Sequence, residues 1–146
     1  MKKIIILIIF ILITGCTSKE QKALEREYFD MIEQASNCSK SEEMPFNIEL
    51  IFNELVDNYY VYRLYIDEPK EEITDIEAIV IHNQKTKDIF PTTGIYESKL
   101  SLKPNYINDN YVKGIILIGY LNSDKATFKA FIKYNNQTAC YVKTFN

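Results

Sequence analysis

The stretch Tyr59-Tyr60-Val61-Tyr62-Arg63-Leu64-Tyr65-Ile66-Asp67 decides how the rest of the chain is read. In an extended backbone, Tyr60, Tyr62, Leu64 and Ile66 fall on one side and Tyr59, Arg63 and Asp67 on the other. Aromatic and aliphatic residues at alternate places suit a pleated surface with one face buried. A helix would instead gather its apolar residues every three or four places.

The same pattern extends in both directions. Upstream, Phe46 to Val56 is a candidate strand, although the run Leu50-Ile51-Phe52 breaks its alternation, and Asp57-Asn58 supplies the turn. Downstream, an acidic loop from Asp67 to Asp75 contains Pro69 and leads into a strand from Ile76 to His82. Asn83 to Ser98 is a long connection with Pro91 and Gly94. Lys99 to Lys103 reads as a short strand stopped by Pro104, and Tyr111 to Leu121 as an apolar one through Ile115, Ile116, Leu117 and Ile118. Ala126, Phe128, Ala130, Ile132 and Tyr134 then alternate with polar neighbours, among them Lys129 and Lys133. Asn135-Asn136 suits a two-residue hairpin turn, because asparagine tolerates positive φ. Thr138 to Phe145 closes the sheet. About seven strands with no helix between them predict a mainly β, antiparallel sandwich or small barrel and argue against any βαβ arrangement.

Ahead of the strands, residues 17 to about 36 predict one helix. Leu24, Tyr28, Met31, Ile32 and Ala35 recur at helical spacing, and Glu20, Lys22, Glu25, Arg26, Glu27 and Glu33 fill the other side. It serves either as a stalk or as a helix packed on a sheet. Asn37 to Pro45 is polar and turn-like and contains Cys38.

The N-terminus begins Met1-Lys2-Lys3 and runs from Ile4 to Ile13 wholly in isoleucine, leucine and phenylalanine. Two cations and a short apolar core match a secretory signal. The apolar run is too short for a membrane span, which needs about 20 such residues. The stretch Leu12-Ile13-Thr14-Gly15-Cys16 resembles the lipobox of bacterial lipoproteins, in which an aliphatic residue and two small ones precede a cysteine. Ile13 is a less usual choice than leucine at its place. The resemblance covers only the first 16 residues. It implies cleavage before Cys16, a diacylglyceryl thioether on Cys16, and location at the outer face of the cell membrane, the acyl chains providing the anchor. The alternative is an ordinary signal peptide with Cys16 there by chance. The expected organisation is a signal peptide over 1–15, an anchored helix and linker over 16–44, and a sandwich over 45–146.

A second, slighter resemblance concerns the mature part. Ile76-Glu77-Ala78-Ile79-Val80-Ile81-His82-Asn83 and Lys113-Gly114-Ile115-Ile116-Leu117-Ile118 are similar to a central and a later strand of small immunoglobulin-like lipoproteins of Gram-positive bacteria. The resemblance implies an immunoglobulin-like sandwich and puts function in no particular class. The chain departs from the immunoglobulin pattern in having no Trp to pack between paired cysteines.

Loss of residues 1–15 would remove Lys2 and Lys3 and move the formal charge from −3 to −5, over 131 of the 146 residues. That is one domain's worth of chain. An acidic domain without runs of lysine or arginine has no electrostatic reason to seek nucleic acid. With Cys16 acylated, Cys38 and Cys140 remain. In an exported protein such a pair reads as a disulfide, the alternative being two buried thiols. Closing a loop of about 100 residues contributes up to about 4.7 kcal/mol in the chain-entropy model.

Recognisable chemistry is sparse. His82 is the only histidine, so any Ser-His or Cys-His pair must use it. It shares an alternating face with Ala78 and Val80, which suits a packed strand end better. No serine sits in a nucleophile elbow, and Gly15, Gly94, Gly114 and Gly119 are too scattered to cradle phosphate. Cys38, Cys140 and His82 lack the short spacing of a zinc site. Asp67, Glu68, Glu71, Glu72, Asp75 and Glu77 could supply oxygens to calcium, but without the EF-hand order they read as a solvated loop. The connection Asn83 to Ser98 carries Ile89, Phe90, Ile95 and Tyr96, either as a recognition loop or as a cap on the core. The expectation is therefore a non-catalytic, membrane-anchored binding module of the cell envelope with a protein or envelope partner, needing no cofactor or metal. The rivals are a small surface hydrolase and an accessory or inhibitory subunit of a transport, conjugation or phage-exclusion system.

Overall fold

The computed structural model describes residues 19–56, 58–84 and 114–146. Those residues form one helix, α1 (Lys19–Asn37), and six strands: β1 (Asn47–Val56), β2 (Tyr59–Asp67), β3 (Glu77–His82), β4 (Gly114–Leu121), β5 (Ala126–Tyr134) and β6 (Gln137–Phe145). The count is six rather than about seven. The expected strand Lys99–Lys103 and the loop carrying Ile89, Phe90, Ile95 and Tyr96 lie outside the described residues. The chain divides into two compact units, one ending at Asp30 and the other running from Met31 to Asn146. The second half of α1 and residues 38–44 fall in the same compact unit as the strands.

The strands form two antiparallel sheets of order β1-β2-β4 and β3-β5-β6. This matches the A-B-E and C-F-G order of an immunoglobulin constant-type sandwich. The alternation that predicted β2 is what builds the core. Tyr62, Leu64 and Ile66 point inward with Leu50 and Phe52 of β1 and Leu117 and Leu121 of β4, and meet Ala78, Val80, Phe128, Ala130, Ile132 and Ala139 of the other sheet. An immunoglobulin domain of antibody type ties its second and sixth strands, B and F, by a disulfide. Here the equivalent β2 and β5 meet through Tyr62 and Phe128, whose ring centroids are 4.8 Å apart. Gly119 lies opposite Tyr62 on β4, and a Cβ there would overlap the Tyr62 ring. The missing side chain makes room for the tyrosine.

Turn chemistry sets the register. Tyr134 pairs with Gln137, leaving Asn135 and Asn136 as the two loop residues at φ 46° and 58°. Both angles are positive, as a type I′ hairpin requires. Asn135 does a second job, since its Oδ1 accepts from the Thr74 amide at 2.6 Å and its Nδ2 donates to the Glu72 carbonyl at 3.0 Å. The acidic connection before β3 is thereby tied to the hairpin. Asn58 ends the β1–β2 turn at φ 67°. A bulge between Phe52 and Glu54 shifts the β1 register, whereas the run Leu50-Ile51-Phe52 ahead of it keeps its alternation, with Leu50 and Phe52 buried and an apolar Ile51 half-buried on the other face.

Candidate functional site

Each sheet has an inner face in the core and an outer face, and the two outer faces differ. On β3-β5-β6 the transverse row Ile79–Phe131–Cys140 points outward. Ile79 and Phe131 are nevertheless buried, as are Met31 and Ala35 one helical turn apart in the second half of α1. Cys140 is joined by a disulfide to Cys38, just beyond the helix, with Cα atoms 5.6 Å apart. Lys129 Nζ donates to the Ser36 carbonyl at 2.7 Å. The end of α1 is thus fastened over this face at two points.

The segment after the disulfide continues along β6. The Glu42 amide donates to the Cys140 carbonyl at 2.9 Å, and the Glu42 carboxylate accepts from the Cys140 amide at 2.8 Å. Ser41 Oγ donates to the Val142 carbonyl at 3.1 Å and accepts from its amide at 3.0 Å. Backbone groups of an edge strand that could template another strand are therefore occupied from within the chain.

The outer face of β1-β2-β4 is different. Its rows, read from the register, include Ile51–Arg63–Ile118 and Val61–Tyr120, with Glu49–Tyr65 before them and Tyr59 beyond. Ile118 is 48% exposed, Tyr120 51% and Tyr59 48%. Val61 on the same face is buried, while Ile51, Arg63 and Tyr65 are half-buried. Large amphipathic side chains on a rigid sheet, with a guanidinium in the middle, are what protein-recognition surfaces are rich in. Sequence reasoning placed Tyr59 and Arg63 on a common face but missed this surface, because Ile118 and Tyr120 sit in a run that reads as wholly apolar. Their alternation with Leu117, Gly119 and Leu121 was the available signal.

The residues that could have carried chemistry do not converge. Both cysteines of the disulfide are oxidised, so neither offers a thiolate to His82. His82 lies at the end of β3 with its ring edge-on to Tyr62 and Phe128, centroids 6.1 and 6.3 Å away. Neither ring nitrogen has a well-formed hydrogen bond among the described residues. Burial pushes its pKa below 6.5, and the nearby Gln84 backbone offsets this only in part. The acidic residues spread apart: Glu77 pairs with Lys133 at 3.2 Å, and Asp67 accepts from Asn47 Nδ2 at 2.9 Å. Among the described residues no cluster of three histidine, cysteine or acidic side chains could hold a metal ion, and no helix is long and apolar enough to cross a membrane.

Fold and surface together define a disulfide-fastened β-sandwich of two three-stranded sheets, one outer face of which is covered by the end of α1 while the other leaves Tyr59, Ile118 and Tyr120 about half exposed. No protein-family model, curated protein or solved structure matches this chain.

Proposed function

We propose that the chain is an extracytoplasmic lipoprotein, anchored through Cys16, whose sandwich is a non-catalytic module that binds a protein partner of the cell envelope through the outer face of β1-β2-β4. The observation that carries this reading is the asymmetry of the two outer faces. One is covered by the chain's own helix, whereas the other leaves Tyr59, Ile118 and Tyr120 about half exposed. The lipobox-like stretch ending at Cys16 and the disulfide between Cys38 and Cys140 both suit an oxidising compartment outside the cytoplasm.

A photo-crosslinking amino acid in place of Tyr120, with an affinity tag after Asn146, tests the reading in intact cells. The expected result is one discrete crosslinked protein, absent when the same group replaces Asn136 at the exposed hairpin tip and lost in a Cys16→Ala chain. Equal, diffuse crosslinking from positions 120 and 136 would remove this face as the binding surface.

A further inference from the structure

The disulfide of this sandwich sits outside the core between its sheets. Cys140 lies on the outer face of β6, and Cys38 follows α1. The residues buried at this face, Met31, Ala35, Ile79 and Phe131, are not part of the core cluster. The chain rejoins that cluster at Met44 and Phe46. Between Cys38 and Met44 it is held to β6 by Ser41 and Glu42, through four hydrogen bonds of which only one joins two backbone groups. We propose that Cys38–Cys140 is a redox latch: reduction by a dithiol frees residues 38–43 from β6 and opens the edge of that strand while the sandwich stays folded. The proposal goes beyond the binding role argued above and does not depend on it, because it concerns the other sheet.

What holds the strap besides the disulfide is weak. The bonds made by the Ser41 hydroxyl and the Glu42 carboxylate are exposed, and so is the one from Lys129 to Ser36. Water replaces exposed hydrogen bonds at little net cost. Segments with few buried apolar contacts and solvent-exposed bonds are the ones that open locally, without the rest of the fold. The latch is also within reach. Cys140 is half-buried, whereas Cys38 is only 2% exposed, so an attacking thiolate meets the Cys140 sulfur first. It forms a mixed disulfide there, and Cys38 leaves as a thiolate that takes up a proton. The second thiol of the reagent then displaces Cys140 and closes the reagent's own disulfide. Two electrons pass from the dithiol to the protein, which ends with two thiols. Release of the strap uncovers the amides and carbonyls of Cys140 and Val142, the groups through which an edge strand pairs with another.

Amide exchange followed residue by residue by NMR, on the full chain in detergent micelles, tests the latch. Cys16→Ala leaves Cys38 and Cys140 as the only cysteines. The protein is equilibrated with mixtures of reduced and oxidised dithiothreitol, and its thiols are counted by maleimide alkylation and mass. The appearance of two thiols should bring exchange at least about tenfold faster at the Cys140 and Val142 amides, reversed when the mixture is made oxidising. The Tyr141 amide, turned towards β5 by the alternation of an antiparallel pair, should stay protected, as should Leu64 and Ile132 in the two central strands. Thiols that appear only as Tyr141, Leu64 and Ile132 lose protection overturn the proposal, since the bond is then reached by unfolding alone. Thiols that appear with Cys140 and Val142 still protected overturn it too, since the strap then holds without the bond. Cys38→Ser with Cys140→Ser in the same chain should show the fast exchange with no reductant. If that variant does not fold, the titration of the disulfide-bonded chain decides by itself.

Discussion

His82 shows how one residue can be read correctly in position and remain open in purpose. Its face, shared with Ala78 and Val80, follows from alternation alone. Its surroundings do not, because Tyr62 and Phe128 come from strands far away in sequence. Folding takes the imidazole away from water and lowers its pKa below 6.5. The unfolded chain therefore binds a proton near pH 6.5 that the folded chain resists. Stability from this group is whole above about pH 6.5 and falls as pH drops below it, until the lowered folded pKa is reached. Replacing the ring by one that cannot protonate, His82→Phe, should flatten the slope of unfolding free energy against pH in that window while leaving the slope at lower pH, set by carboxylates, unchanged. Urea titrations of both proteins between pH 5 and 7.5 would measure it, and parallel slopes would mean that His82 is solvated. Gly119 makes a complementary case. Gly119→Ala drives a methyl group into the Tyr62 ring and should cost about 1–3 kcal/mol, as overpacking of a core does. Trimming the ring in the same chain, Tyr62→Leu, should recover part of that loss, and strict additivity of the two changes would rule out the contact.

The strands and turns were the most legible elements, for a physical reason. A strand with one buried face must alternate, and β2, β5 and the Asn135-Asn136 turn carry that constraint openly in the sequence. β1 was harder because Ile51, which faces outward between the buried Leu50 and Phe52, is itself apolar and masks the alternation, and a bulge at Phe52/Glu54 then shifts the register. The role of residues 38–44 was not legible at all. A polar, turn-like composition does not reveal that Ser41 and Glu42 serve as hydrogen-bonding partners for Cys140 and Val142 of β6. Those bonds join residues about a hundred positions apart, beyond the range of any local pattern. The disulfide at the same place closes a loop with a sequence separation of 102. Replacing both cysteines, Cys38→Ser with Cys140→Ser, should lower stability by about 2–5 kcal/mol. Thermal unfolding with and without reductant should show wild type falling towards the variant and the variant unaffected. A wild type indifferent to reductant would mean that the bond does not form or that the packing of Met31, Ala35, Ile79 and Phe131 alone holds the helix end.

At the scale of the molecule, the functional question turns on what the two outer faces are for. An immunoglobulin-like sandwich needs only its inner faces to fold, and a fold shared by many activities names none of them. In this chain the face bearing Ile79, Phe131 and Cys140 has been taken over by the end of α1, so it belongs to the structure. The face bearing Tyr59, Ile118 and Tyr120 leaves these three large side chains about half exposed and outside the core cluster, which is what the proposed binding role uses. The same substitution on the two faces separates these roles. Ile79→Lys places an unpaired charge in a buried position and should cost several kcal/mol, about 3–5 by comparison with other uncompensated buried charges. Ile118→Lys, at a site 48% exposed, should change stability by no more than about 0.5 kcal/mol, yet should abolish the crosslink expected from position 120. A stable, folded Ile118→Lys chain that loses its partner assigns the open face to binding. If Ile118→Lys unfolds the protein as readily as Ile79→Lys, the exposed side chains are structural after all, and the binding surface must be sought elsewhere on the chain.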